Sequence, residues 1–194
     1  MKTPLLSILV PSIPSRLAGA VSMFDYLTEQ CGTNLSGNVE ILMLTDNKQR
    51  SVGMKRQALL GIARGDYVCF ADDDDFISQH YVSSIIKAIQ EDHPDVIVWP
   101  FKVTINGGRE GIVLPSIAHM NKPIPEYEPP VTYRPPHHLC CWKREIAIKG
   151  RFPDLMEGED FAWAAQCWPY VKTERQIDKV LYHYRWDRAV TEAK

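Results

Sequence analysis

The chain has 194 residues, 45% of them hydrophobic, and a formal charge of −2 from 22 basic and 24 acidic residues. This composition excludes a disordered chain and argues against an obligatory polyanionic partner, although a local basic patch is compatible with it. No segment approaches the roughly 18 apolar residues of a membrane span, and the length favours one domain. The apolar run 5–10 ends at Pro11 without a small-residue cleavage site, so we interpret it as a strand. Five cysteines without a C-x-x-C motif favour a reducing, cytoplasmic location.

The first hundred residues alternate between apolar runs, which predict strands, and amphipathic segments, which predict helices. The predicted strands are 5–10, 39–44, 66–71 and 96–99. The predicted helices are 16–30, 51–64 with Ser51 as N-cap, and one that Ser78 caps and that continues through Ile89. This alternation predicts an α/β fold with a mostly parallel, Rossmann-like sheet that helices cover.

The pattern becomes irregular after Pro100. We expect a β-hairpin at 102–105 and 111–114, helices at 142–149 and 160–168, and a strand or extended tail at 180–186. The proline-rich segment 115–136 has little periodicity, and a loop of that length is more often functional than idle. The sequence therefore predicts one domain, 1–194, with a regular half at 1–100 and an irregular half at 101–194.

Four consecutive aspartates, Asp72 to Asp75, directly follow the third predicted strand. Like charges this close repel unless a cation or a proton relieves them. In open α/β sheets, ligands bind at the carboxyl ends of strands. If the chain is extended there, Asp72 and Asp74 share a face and form a hard-oxygen site for Mg²⁺ or Mn²⁺. A solvated acidic turn is the alternative interpretation.

Two further groups of charged residues are candidates for the same site. The segment 47–65 has no acidic residue, and Lys55 and Arg56 lie in the first turns of its predicted helix, where they suit a diphosphate. Glu159 and Asp160 follow a glycine and begin another predicted helix. They either stabilise the helix N-terminus, or Asp160 is a general base that Glu159 orients.

Taken in order, these motifs resemble those of the family 2 glycosyltransferases, which have the GT-A fold. The resemblance is carried by Ser7–Ser12, Glu40–Asp46, Gly53–Ala58, Ala63–Asp75, Gly158–Phe161 and Tyr182–Arg185. It covers nearly the whole chain and is weak between Gly107 and Pro136. Where the family usually has two acids after its second strand, this chain has Thr45 before Asp46. The Q-x-x-R-W signature of processive synthases is absent from the sequence, which argues against that class.

The resemblance implies an inverting transfer from a nucleotide-sugar, usually a UDP-sugar, with Mn²⁺ or Mg²⁺ as cofactor. It assigns roles to matched residues as follows. Pro11, Ser12 and Ile13 flank the nucleotide base and Asp46 contacts it; Arg56, with Lys55, Asp72 and Asp73, completes the donor site; Asp72, Asp74 and His183 are metal ligands; Asp160 is the general base, with Glu159 beside it.

The acceptor is open: a glycan, a lipid-linked saccharide, or a modified nucleic-acid base as in phage-type enzymes. Binding to DNA would need a clustered basic face. The candidates for that face are Lys143-Arg144, Lys149, Arg151, Arg185 and Arg188. A sugar-nucleotide-binding protein without transferase activity is the other alternative. The segment 115–136 and the pair His137-His138 are candidates for acceptor contacts or a lid. The two histidines lack the partner spacing of a zinc site.

Overall fold

The computed structural model describes residues 3–35 and 37–187. Its strands are β1 (Leu6–Ser12), β2 (Val39–Thr45), β3 (Tyr67–Phe70), β4 (Phe76–Ile77), β5 (Val96–Val98), β6 (Phe101–Ile105), β7 (Arg109–Pro115), β8 (Val131–Arg134), β9 (Cys141–Lys143), β10 (Glu174–Gln176) and β11 (Tyr182–Trp186). Its α-helices are α1 (Leu17–Leu35), α2 (Val52–Ile62), α3 (Tyr81–Asp92), α4 (Arg144–Ala147) and α5 (Glu159–Cys167). Short 3₁₀ turns occupy Pro14–Arg16, Ile117–His119 and Trp168–Tyr170.

The main sheet has six strands in the order β10-β5-β9-β3-β1-β2. β1 lies between β2 and β3 and is parallel to both, and β5 is parallel to β10. β9 is antiparallel to its neighbours β3 and β5. Every residue of β1 is buried, as expected of a parallel strand covered on both faces. The predicted α/β architecture, with a mostly parallel sheet, is confirmed.

Two hydrophobic clusters cover the opposite faces of this sheet because side chains alternate along each strand. Ile8 of β1 belongs to the cluster that includes Leu27 of α1 and Ile85 of α3. The next residue, Leu9, belongs to the other cluster, which includes Trp163 of α5. Each such fully buried side chain stabilises the fold by roughly 1.5–3 kcal/mol. The two clusters therefore fix α1 and α3 on one face and α5 on the other.

A second sheet of five strands, in the order β4-β11-β6-β7-β8, was not predicted. Its hairpin, β6–β7, was predicted, and the turn has positive φ at Asn106 (49°) and Gly107 (69°). β11 is parallel to β6 and antiparallel to β4, the short strand that follows the aspartates. This pairing brings the C-terminal strand against the aspartate cluster.

Two element predictions were wrong in part. The helix predicted at 142–149 begins only at Arg144, because Cys141–Lys143 fills the gap between β3 and β5 as a strand. The segment 115–136 is not a continuous loop, since β8 pairs with β7. Elsewhere, Ser51 caps α2 as predicted, and its Oγ accepts from the Met54 N–H. The predicted cap Ser78 instead lies before the N-cap of α3, His80.

All five cysteines are buried free thiols. Within residues 3–35 and 37–187, the helices lack the length and apolar character that crossing a bilayer requires.

Candidate active site

A cavity of about 280 Å³ lies where β1 and β3 end and where α5 begins. This is the edge of an α/β sheet at which ligands bind. Nine residues that the sequence assigned to the site line the cavity: Pro11, Ser12, Ile13, Lys55, Arg56, Asp72, Asp74, Glu159 and Asp160. Three others, Asp46, Asp73 and His183, do not line it.

The four aspartates form a turn, since the Asp75 N–H donates to the Asp72 carbonyl oxygen (3.3 Å). Asp72 and Asp74 nevertheless face the same cavity. Asp73 and Asp75 are buried, with exposed fractions of 4% and 5%. The cavity therefore receives two of the four carboxylates, in the Asp-x-Asp spacing.

Strand β11 holds the aspartate turn in place. The Tyr182 hydroxyl accepts from the Asp72 N–H (2.9 Å) and donates to Asp75 Oδ2 (2.8 Å). The Arg185 N–H donates to Asp75 Oδ1 (2.7 Å), and its guanidinium donates to the Asp74 carbonyl oxygen (2.7 Å). Both carboxylate oxygens of Asp75 thus accept hydrogen bonds from β11, whereas Asp72 and Asp74 line the cavity.

Arg56 connects the aspartate turn to α5. Its guanidinium lies 2.9 Å from Asp72 Oδ1, and its Nε lies 3.2 Å from Glu159 Oε1. Gly53, in the first turn of α2, permits this approach, because an added Cβ would lie 2.0 Å from the Pro153 carbonyl oxygen. Nη1 of Arg56 is buried and makes no hydrogen bond to any residue that the structure describes. It is therefore a donor without a partner among the described residues, on a side chain that lines the cavity.

A second arginine, Arg16, pairs with the other end of the turn. Its guanidinium contacts Asp73 Oδ1 (2.9 Å) and Asp74 Oδ2 (2.6 Å). Arg16 follows β1 and lines the cavity. The carboxylates of Asp72, Asp73 and Asp74 are therefore paired with two guanidinium groups, those of Arg16 and Arg56.

The ammonium group of Lys55 already contacts two oxygen atoms of the protein. Its Nζ donates to the Ser12 carbonyl oxygen (2.8 Å) and lies 2.9 Å from Asp46 Oδ1. The side chain is only 4% exposed. Lys55 thus joins the ends of β1 and β2 and orients Asp46, although Asp46 itself does not line the cavity.

His138 connects Asp160 to Asp72. Its Nδ1 lies 2.8 Å from Asp160 Oδ2, and its Nε2 lies 3.4 Å from Asp72 Oδ2. Burial and Arg56 oppose protonation, but Asp160 and Asp72 raise the pKa of His138 to about 9. Burial favours the neutral acid at Asp160, but His138 outweighs it and holds the pKa of Asp160 well below its ordinary value. Asp160 is therefore ionised at neutral pH.

The neighbouring His137 also approaches Asp160. Its Nδ1 lies 3.3 Å from His138 Nδ1 and 3.9 Å from Asp160 Oδ2. The three residues form a group whose ligand atoms could hold a metal ion, which the sequence spacing did not suggest. Burial and the charge of His138 lower the pKa of His137 to about 3, so His137 is neutral. A charged His138–Asp160 pair accounts for the short contact without an ion.

The carboxylates that face the cavity differ in their pKa. Burial and then the charge of Asp72 raise the pKa of Asp74 to about 6. Burial also acts on Asp72, but Arg56 and His138 hold its pKa well below the ordinary value. Asp74 is thus harder to ionise than Asp72. Two carboxylates that face one cavity are a suitable oxygen donor set for Mg²⁺ or Mn²⁺.

His183 is not brought to this donor set. Its Nε2 lies 2.7 Å from Thr104 Oγ1 on the neighbouring strand β6. The next residue, Tyr184, does line the cavity, because successive side chains of a strand point to opposite faces. The basic candidate Arg188 lies outside the described residues.

Several cavity residues were not assigned to the site from the sequence. These are Arg16, Val52, His138, Met156, Glu157, Gly158, Tyr184, Arg185 and Trp186. Arg16 was assigned to a helix start, and His138 was considered as an acceptor contact and as a zinc ligand but not as a partner of the aspartates. Both residues are potential cations, and a buried carboxylate needs a partner. That requirement was the available signal for Arg16 and His138.

Comparison with known proteins is consistent with this geometry. A family model described as glycosyl transferase family 2 matches residues 25–146. No curated protein sequence matches the chain. The crystal structure of S. aureus TarS is similar, with a TM-score of 0.64 and 17% identity, over 93% of this chain and 36% of that one. TarS 1–349 in complex with UDP-GlcNAc (TM-score 0.60, 17% identity) and with UDP (0.60, 18%) are similar over 93% of this chain. The chain spans 58% and 60% of those two chains.

Proposed function

The chain belongs to glycosyl transferase family 2, because the family model matches more than half of its length, and we propose that it transfers a sugar from a UDP-sugar to an acceptor hydroxyl with inversion. The likeness to TarS confirms the GT-A fold. The observation that carries the proposal is one cavity that combines an Asp-x-Asp pair, the arginines that pair with it and an ionised Asp160.

The donor is assigned to the part of the cavity between β1 and the aspartate turn. Ser12 and Ile13 line it there, and the two TarS complexes contain UDP-GlcNAc and UDP. Departure of the sugar leaves negative charge on the diphosphate. The unpaired Nη1 of Arg56 and the guanidinium of Arg16 are positioned to stabilise that charge. We assign the diphosphate to these two arginines and not to Lys55, which Ser12 and Asp46 already occupy.

Asp72 and Asp74 are the residues that would hold Mn²⁺ or Mg²⁺. When bound, the cation supplies Lewis-acid stabilisation of the diphosphate leaving group. His183 is no longer part of our assignment, since Thr104 accounts for its imidazole.

Asp160 is the proposed general base. The acceptor oxygen forms a bond to the anomeric carbon as the bond between that carbon and the diphosphate oxygen breaks. The electron pair of the broken bond leaves with UDP. The acceptor proton goes to the carboxylate of Asp160, which His138 keeps ionised. His138 and His137 both reach Oδ2 of Asp160, so we assign Oδ1 to the acceptor.

Binding of UDP with and without Mn²⁺, measured by isothermal titration calorimetry, tests the donor site. We expect Asp74→Asn to weaken Mn²⁺-dependent UDP binding by about tenfold or more, because one anionic ligand is lost. Asp178→Asn, at an exposed aspartate, is the control. Equal UDP affinity in Mn²⁺ and in excess chelator would contradict the metal assignment.

Release of UDP from a panel of UDP-sugars tests the chemistry. Asp160→Asn should bind UDP as the wild type does and should lose roughly 10²-fold or more in transfer. A variant that binds UDP and transfers at the wild-type rate would show that the base is another residue. A wild type that binds UDP but transfers to no acceptor, water included, would favour a sugar-nucleotide-binding protein.

A further inference from the structure

The charged side chains around the cavity form a closed ring. Asp72 pairs with Arg56, Arg56 pairs with Glu159, and Asp160 pairs with His138, which returns to Asp72. Glu159 and Asp160 are neighbours in sequence and begin α5. The ring thus links the aspartate turn after β3 to the helix that carries the proposed base.

Each link of the ring is shielded from solvent. Arg56, His138 and Glu159 are 3%, 7% and 5% exposed. Charge pairs in such surroundings are screened far less by water and salt than surface pairs are. The contacts of the ring therefore fix the separation between Asp72, on the donor side, and Asp160, on the acceptor side.

We propose that His138 is a positioning residue that holds the carboxylate of Asp160 in the orientation needed to accept the acceptor proton. This inference rests on the proposed function. Both imidazole nitrogens face a carboxylate oxygen, Nδ1 at 2.8 Å and Nε2 at 3.4 Å. Nδ1 therefore carries a hydrogen towards Asp160, whereas Nε2 faces Asp72 at an ion-pair distance without a hydrogen bond. Rotation of the ring would lose the shorter contact. His138 contacts the base and the Asp-x-Asp carboxylate but has no assigned contact with either substrate.

Two substitutions separate the two contacts of His138. The amide nitrogen of asparagine reaches about as far as Nδ1, so His138→Asn keeps a donor towards Asp160. The amide nitrogen of glutamine reaches about as far as Nε2, so His138→Gln keeps a donor towards Asp72 and loses the one towards Asp160. His80→Asn, at an exposed histidine, is the control.

The assay is UDP release from the UDP-sugar that the wild type hydrolyses fastest, with water as acceptor, together with UDP titration and thermal melting of every variant. We expect His138→Gln to lower kcat by about 100-fold, the usual effect of a displacement near 1 Å. The KM for the donor and the Kd for UDP should stay within about threefold. His138→Asn should keep kcat within about tenfold of the wild type.

A double-mutant cycle tests whether His138 acts through Asp160. In the Asp160→Asn background, neither substitution of His138 should lower UDP release further, because the group that it positions is gone. If His138→Gln does not fold, His138→Ala, which also lacks a donor towards Asp160, replaces it in the cycle. Additive losses in the double variant would overturn the proposal.

Three other results would also overturn the proposal. The first is wild-type kcat in both variants. The second is an equal loss of UDP affinity in both, which would place His138 in the donor site. The third is a metal ion that copurifies with the wild type and is lost in both variants, which would make the histidine–Asp160 group a metal site. If the wild type neither binds UDP nor releases it, the proposed function itself fails, and that result is distinct from these three.

Discussion

Replacement of Gly53 by alanine should destabilise the protein, whereas the same change at Gly61 in the same helix should not. A Cβ at Gly53 would lie 2.0 Å from the Pro153 carbonyl oxygen and 3.2 Å from that of Leu155. A Cβ at Gly61 would meet nothing within 4 Å. The first overlap involves backbone atoms, so no side-chain rotation can relieve it. The N-terminal turn of α2 must move away from this segment by about 1 Å to restore normal contact.

The size of the stability change follows from the cost of overpacking. Overpacking of a well-packed site costs about 1–3 kcal/mol, and this overlap lies at the upper end of that range. In a protein of this size, 3 kcal/mol lowers Tm by roughly 6–12 °C. Gly61→Ala should instead raise stability by about 0.5–1 kcal/mol, because alanine loses less backbone entropy in a helix. A displacement of 1 Å would also break the 3.2 Å contact of Arg56 with Glu159.

Thermal and urea unfolding of the two variants provide the measurement, with UDP titration as a second readout. We expect opposite signs of the change in stability, and weaker UDP binding only in Gly53→Ala. A melting temperature of Gly53→Ala within 2 °C of the wild type, a shift of less than about 1 kcal/mol, would refute the argument. It would mean that α2 and the segment before α5 are not in close contact.

Tyr182→Phe should lower stability by about 2–4 kcal/mol in urea unfolding, because the buried carboxylate of Asp75 loses an O–H donor and the Asp72 N–H loses its acceptor. Arg16→Gln should tighten Mn²⁺ binding at pH 8 by about fivefold in electron paramagnetic resonance titrations, because Arg16 competes with the cation for Asp74; weaker or unchanged binding would contradict this competition. The pKa of Asp74 is raised to about 6, so it is protonated at lower pH. Mn²⁺ affinity should therefore be constant above pH 7 and fall by about tenfold per pH unit below 6, and a flat profile to pH 5 would count against Asp74 as a ligand.

The regular half of the fold could be predicted because its signals are local. The apolar runs of β1 and β3 and the helical spacing of α2 each lie within one short segment. β9 was missed because its residues also fit a helix, and only the gap between β3 and β5 decides for a strand. The apolar run Leu139–Trp142 was the available signal for a buried strand. The second sheet was missed because β4, β8 and β11 are short and their partners are remote in sequence.

Two basic residues of the site, Arg16 and His138, were harder to predict than the acidic ones. Asp72 and Asp74 follow a strand whose end faces ligands, so their position could be inferred from the segment alone. These two partners come from segments that are remote in sequence. Arg16 lies 58 residues before Asp74, and His138 follows the hairpin β6–β7 in the chain. Pairing of this kind depends on the tertiary fold and has no local periodicity.

The order of charges around the ring explains how Asp72 and Asp160 can both be ionised in one buried site. Two carboxylates that share a site without cations keep one proton between them, and one pKa rises strongly. Here His138 lies between the two, and Arg56 neutralises Asp72 from its other side. The base therefore need not lose a proton before the acceptor arrives. Asp74 is outside the ring, and its pKa is raised first by burial and then by the charge of Asp72. In the proposed function, a cation held by Asp72 and Asp74 would favour the ionised form of Asp74.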